Sequence, residues 1–122
     1  MALPVIDRLK DAINTHDIDA LTGCFALDFV CTWPAHPSRS FTGRDQVRRN
    51  WEMMFQARPD IQAAVNAHVR ADDETWAEWE FLGTERDGSR FDQRGVIIVV
   101  VEGDVITEAR FYMEPVDVPS AQ

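Results

Sequence analysis

The sequence has only two cysteines, Cys24 and Cys31, in 122 residues. Its N-terminus, "MALPVIDRLKDA", carries charge by Asp7 and has no apolar stretch of the kind an export signal needs. Two cysteines without an export signal read as free buried thiols, not as a disulfide. Cationic side chains are scarce as well. Twelve Lys and Arg stand against twenty-one Asp and Glu, for a formal net charge of −9. That sign repels phosphate backbones and anionic membrane surfaces, so neither nucleic acid nor membrane is an expected partner. Long hydrophobic runs are missing: the longest, "VIIVVV" from Val96 to Val101, is far short of a membrane span. The three histidines, His16, His36 and His68, are scattered, and no HExxH or paired-cysteine spacing occurs, so no metal site is expected. A glycine-rich phosphate loop is also lacking, and no cofactor is expected. The expectation is a soluble cytoplasmic protein.

What is present is an ordinary globular balance, 45% hydrophobic and 27% charged, without repeats or linkers. A chain of this length forms one domain, here 1–122, with a core from about 5 to 114 and a tail from 115. Pro4 suits a first helical turn, and Val5, Ile6, Leu9, Ala12 and Ile13 recur at helical spacing. After "NTHD", which places His16 at a helix end, Asp17 is a credible N-cap. The short helix it opens would carry Ile18, Leu21, Cys24 and Phe25 as one stripe. "DFVCTW", ended by Pro34, reads as a strand with Phe29, Cys31 and Trp33 on one face. A loop "PAHPSRS" follows. Thr42 and Asp45 then resemble a capping box ahead of a third helix bearing Val47, Trp51, Met54 and Phe55, which Pro59 stops. From Ile61 four strands succeed one another. Asp72-Asp73-Glu74, an Asp-Gly hairpin at Asp87-Gly88 and "EGD" form their turns. Three helices, one inserted strand and four antiparallel strands make an α+β fold, a long, strongly bent sheet around helices packed on one face.

Two stretches of the sheet bear on function. "TWAEWEFLGT" alternates, with Trp76, Glu78, Glu80 and Leu82 on one face and Thr75, Ala77, Trp79 and Phe81 on the other. If Trp79 and Phe81 fill the core, the glutamates are solvated. If Glu78 and Glu80 face inward, they are paired carboxylates in an apolar pocket, where desolvation and mutual repulsion suit one of them to general acid or base work. Val96–Val101 does not alternate, so both of its faces should be covered: one by the helices, the other by a second copy of the chain packed sheet to sheet. A homodimer is expected, and under it the aromatics of the first stretch can bury outward.

The order and spacing of "AINTHDIDALTGCFALDFV", "FTGRDQVRRNW", "EWEFLGT" and "RGVIIVVVEGDVITEARFYME" resemble the nuclear transport factor 2-like superfamily, within it the SnoaL-like, ketosteroid-isomerase-like group. The resemblance covers about 5 to 114. It implies a cone-shaped, cystatin-like barrel, a mostly antiparallel sheet wrapped around three N-terminal helices with a pocket between them, and often a dimer through the sheet. The isomerases' catalytic aspartate position is held here by Trp33, their first-helix tyrosine falls near Leu9, and their second acid near Val96 or Ile97. Chemistry of that kind is not expected. The tyrosine and asparagine of limonene-epoxide-hydrolase-like members fall at Cys31 and Trp33, their arginine and aspartate at Glu78 and Glu80, and their last aspartate at Phe111, so only Glu80 keeps its type. The facing information implies that Phe29, Cys31, Trp33, Glu78, Glu80, Phe111 and Met113 point into the pocket.

The expected function is binding of a small, largely apolar organic molecule in the cone. Cofactor-free acid/base catalysis of isomerase, cyclase, dehydratase or hydrolase type could accompany it. The alternative is a non-catalytic binding or association module. Glu80 is the first candidate acid or base, Glu78 the second, and His36, on the loop after the first strand, the third. Phe29, Cys31, Trp33, Trp51, Met54, Phe55, Phe111 and Met113 are the candidate pocket wall, an aromatic, methionine and thiol set that an apolar ligand or a plain core would equally use.

Overall fold

The computed structural model describes residues 4–117. Three helices, α1 (Val5–Asn14), α2 (Ile18–Thr22) and α3 (Arg44–Ala57), pack on one curved sheet. Its strands are β1 (Phe25–Thr32), β2 (Phe41–Thr42), β3 (Gln62–Ala71), β4 (Glu74–Thr84), β5 (Arg90–Glu102) and β6 (Val105–Pro115), in the order β2-β1-β6-β5-β4-β3. All neighbours are antiparallel except β1 and β6. No helix among the described residues is long and apolar enough to cross a membrane. Of the tail expected from residue 115, residues 118–122 lie outside the described residues.

Helix α1 forms because its apolar residues share one stripe, and Val5, Ile6, Leu9, Ala12 and Ile13 are all buried. Burial of each of its Val, Leu and Ile side chains contributes roughly 1.5–3 kcal/mol. The "NTHD" segment then ties this helix to the sheet. Asn14 Oδ1 accepts from the Ala63 N–H (2.6 Å) and its Nδ2 donates to the Ala63 carbonyl (3.0 Å), while His16 Nε2 lies 2.9 Å from the Ile61 carbonyl. Asp17 caps α2 by accepting from the Ala20 N–H at 3.1 Å.

Three local expectations change. Helix α2 ends at Thr22, and Phe25 opens β1 because its backbone pairs with Ile106 of β6. Thr42 makes no capping box: it pairs with Val30 as part of β2, and Gly43 is the N-cap of α3 without a side-chain hydrogen bond. That short strand β2 is absent from the sequence reading, since two residues are too few for a period.

Irregularities bend the sheet at Val65/Ala67 in β3, at Val100/Val101 in β5 and along β1 beside β6. Gly95 sits where β4, β5 and β6 draw together, opposite Trp79 and Met113. A Cβ there would lie 1.9 Å from the Tyr112 carbonyl oxygen, so only glycine admits this approach. Ile97 and Val99 of β5 face the helices; Val96, Ile98 and Val100 face out. On that outer face Ile98 is nevertheless buried, in register between Trp76 and Arg110. Arg110 Nη1 reaches Glu74 Oε2 at 3.1 Å, so this pair links β4 to β6 across β5. Part of the doubly apolar run is thus covered within one chain, by a tryptophan and the stem of an arginine.

Candidate functional site

The inward faces of β1, β4, β5 and β6 and one side of α3 enclose a cavity of about 320 Å³, at the lower end of the range for small organic ligands. Alternation puts Phe29 and Cys31 of β1 inside, followed by Trp33 just beyond the strand end. Helical spacing puts Val47, Asn50, Trp51 and Met54 of α3 inside. Phe81 of β4, Phe91 and Gln93 of β5, and Phe111 and Met113 of β6 close the opposite wall, with Phe25 and Phe41 beside them. The rings pack edge to face or stacked: Trp51 on Phe81 at 5.5 Å between centroids, Trp33 on Phe111 at 5.0 Å with 20° between planes.

Trp33 also organises the loop that follows. Its N–H donates to Ser40 Oγ (2.9 Å), its carbonyl accepts from the His36 N–H (3.0 Å), and a 3₁₀ turn, Pro37–Arg39, returns the Arg39 guanidinium to 5.0 Å above the Trp33 ring. Arg39 lines the cavity. His36 does not. It lies beside Trp33, at 6.4 Å between ring centroids, with Nε2 at 2.5 Å from Glu114 Oε1. At the far end of α3, Arg58 stacks over Phe91 at 4.0 Å and pairs with Glu85 at 2.7 Å, joining the helix end to the β4–β5 hairpin.

The polar side chains of the wall are few. They are Arg39, Asn50, Gln93 and the Cys31 thiol. Burial pushes that thiol up to about 12, against a smaller opposing effect of the Trp33 side chain, so Cys31 is a neutral thiol at ordinary pH and no activated nucleophile. Cys24, below α2, is likewise raised by burial, with Arg8 opposing.

Most of the candidate wall therefore converges: Phe29, Cys31, Trp33, Trp51, Met54, Phe111 and Met113 line one cavity. Phe55 does not line it. Its ring is turned to the end of α1, stacked on His16 at 4.4 Å with 9° between planes. Glu78 and Glu80 also lie elsewhere. In β4 the buried side chains are Ala77, Trp79 and Phe81, so the glutamates face out. Glu80 Oε1 meets Arg94 Nε at 2.9 Å there, and Glu78 is solvent-exposed. The reason is physical: an indole and a phenyl ring gain from burial what two carboxylates would lose. The implied inward direction of Glu78 and Glu80 is thus corrected by one residue of facing, which in a strand inverts the whole set.

Eight residues are missing from the sequence-based wall: the apolar Phe25, Phe41, Val47, Phe81 and Phe91, and the polar Arg39, Asn50 and Gln93. Asn50 carried a signal, since it falls on the stripe Val47, Trp51, Met54 as its one polar member. Gln93 shares the face of Phe91, opposite the Asp92 and Arg94 side chains. Arg39 carried none, because no period runs through a proline-rich loop.

A family model of the SnoaL-like domain matches residues 6–109. No curated protein matches the sequence. Among solved structures, the chain is similar to a hypothetical protein with a ketosteroid isomerase-like fold from Catenulispora acidiphila, in complex with trimethylamine. There the TM-score is 0.78 at 18% identity, over 92% of this chain and 87% of that one. A Mycobacterium tuberculosis protein in complex with estradiol-17β-hemisuccinate gives a TM-score of 0.76 at 18% identity, over 88% and 89%. An NTF2-like protein of unknown function from Exiguobacterium gives 0.74 at 24%, over 93% and 99%. At these identities the likeness is one of fold. With three helices on a curled, mostly antiparallel sheet and the SnoaL-like match over most of its length, the chain belongs to the SnoaL-like domain family.

Proposed function

We propose that the protein binds a small, largely apolar organic molecule in the cone. The observation that carries this is the cavity itself, about 320 Å³ walled by aromatic, methionine and thiol side chains with only three longer polar ones. Two structural relatives were solved with small organic molecules, trimethylamine and estradiol-17β-hemisuccinate, which agrees with a ligand in this fold. Binding in the cavity is tested with the neutral aromatic probe 2-naphthamide, followed by the fluorescence of Trp33 and Trp51 in the wall. Cys31→Phe, which adds a ring inside the cavity, should weaken the probe at least about tenfold. Unchanged affinity in that variant would place the probe elsewhere and refute the reading.

The His36–Glu114 pair supports a second reading, cofactor-free base catalysis on a group that projects from the cavity past Trp33. Any turnover found among ring ketones and epoxides should then vanish in His36→Gln. Turnover that persists removes His36 from the chemistry.

We also propose a homodimer through the outer sheet face, where Val30, Val69, Trp76 and Tyr112 all remain exposed. Sedimentation at micromolar concentration should give a dimer, and Trp76→Glu a monomer. A wild-type monomer at high concentration refutes this assembly.

A further inference from the structure

We infer that the ligand of this cavity is an aromatic acid, with its rings inside the cone and its carboxylate on Arg39. The inference rests on the reading that the cavity binds a small molecule, and adds the sign of that molecule's charge.

Arg39 is the one charged residue of the cavity wall among the described residues. Arg48, Arg58, Arg90, Arg94 and Arg110 each pair with a carboxylate of the protein; Arg39 has no such partner among the described residues. Its guanidinium carbon sits 5.0 Å from the centre of the Trp33 ring and makes no side-chain hydrogen bond among the described residues, so its N–H donors are free for a carboxylate. The same arrangement disfavours a cation, since the positive group already sits above Trp33. Asn50 adds to the donors. Its Oδ1 accepts from Gln46 Nε2 at 2.7 Å, which leaves its amide N–H groups to a ligand acceptor.

The net charge of −9 argues the other way, because it repels anions at long range. Charge is unevenly spread, however. Residues 39–49, which run from Arg39 into the cavity-lining helix, hold four of the twelve cations (Arg39, Arg44, Arg48, Arg49) and one acid, Asp45. Arg48 among them is offset by Asp19, and screening over about 8–10 Å makes a direct contact with Arg39 count more than distant carboxylates.

The test titrates wild type and Arg39→Gln near pH 7 with three probes of one shape: 2-naphthoate, 2-naphthamide and 2-naphthylmethylammonium. Wild type should bind the acid about tenfold more tightly than the amide, the ammonium ion most weakly, and Arg39→Gln should bring the acid-to-amide ratio close to one. Arg39→Lys, a point charge without the fork, should keep part of the preference. Equal affinities for acid and amide, a preference that survives Arg39→Gln, or tightest binding of the ammonium ion each overturn the inference and leave the apolar cavity as a binding site. Binding of none of the three overturns both.

Discussion

Replacing Trp79 and Glu80 separately tests which face of β4 builds the cone. Trp79 is 1% exposed, among the largest fully buried side chains of the core. An aromatic of its class buries about 150–250 Å², which at about 25 cal/mol per Å² corresponds to roughly 4–6 kcal/mol of transfer free energy. Truncations of this kind cost about 3–5 kcal/mol, a large part of the roughly 5–15 kcal/mol that holds a domain together. Trp79→Ala should therefore lower the unfolding free energy by about 4 kcal/mol. Trp79→Phe should cost well under half of that, because a ring remains and the indole N–H has no acceptor among the described residues to lose. Glu80→Ala removes only a pair with half-exposed Arg94 and should cost under about 1 kcal/mol. The assay is urea unfolding followed by far-ultraviolet circular dichroism, with the m-value unchanged in Glu80→Ala. If Glu80→Ala costs as much as Trp79→Ala, the faces are inverted and a carboxylate lies in the cavity after all.

Two further consequences are open to measurement. With Cys31 at about 12 against the ordinary 9.0, its thiolate population below both values is roughly a thousandfold smaller than that of a free thiol. Iodoacetamide labelling of the native protein near pH 8 should slow accordingly, and labelling at a free-thiol rate would refute the burial. Because the folded value exceeds the unfolded one, the stability that goes with this thiol is complete below about pH 9 and is lost as pH rises toward 12, a loss that Cys31→Ala should remove. Gly95→Ala brings a methyl group within 1.9 Å of the Tyr112 carbonyl and forces β5 and β6 apart. A Tm lower by roughly 10 °C is expected from about 2–3 kcal/mol, and an unchanged Tm would contradict the strand approach.

The sequence by itself determined the architecture, because periodicity is a local property that survives without coordinates. The stripe Val5, Ile6, Leu9, Ala12, Ile13 and the alternation of β4 are visible in any list of residues. It also named seven of the fifteen residues of the cavity wall, from Phe29 to Met113, since large apolar side chains on inward faces have few other places to go. Alternation cannot say which face is inward when both faces carry something worth burying. That choice in "TWAEWEFLGT" depended on the pairing of Phe81 with Gln93 and Trp79 with Gly95, contacts set by chain segments ten or more residues away. The shared cover of Ile98 by Trp76 and Arg110 is likewise a cross-strand fact. Only the tertiary structure brought Arg39 to the wall, because a loop has no period and its direction is fixed by the hydrogen bonds of Trp33 with Ser40 and His36. The polar character of the cavity wall, and with it the charge proposed for a ligand, rests on that placement.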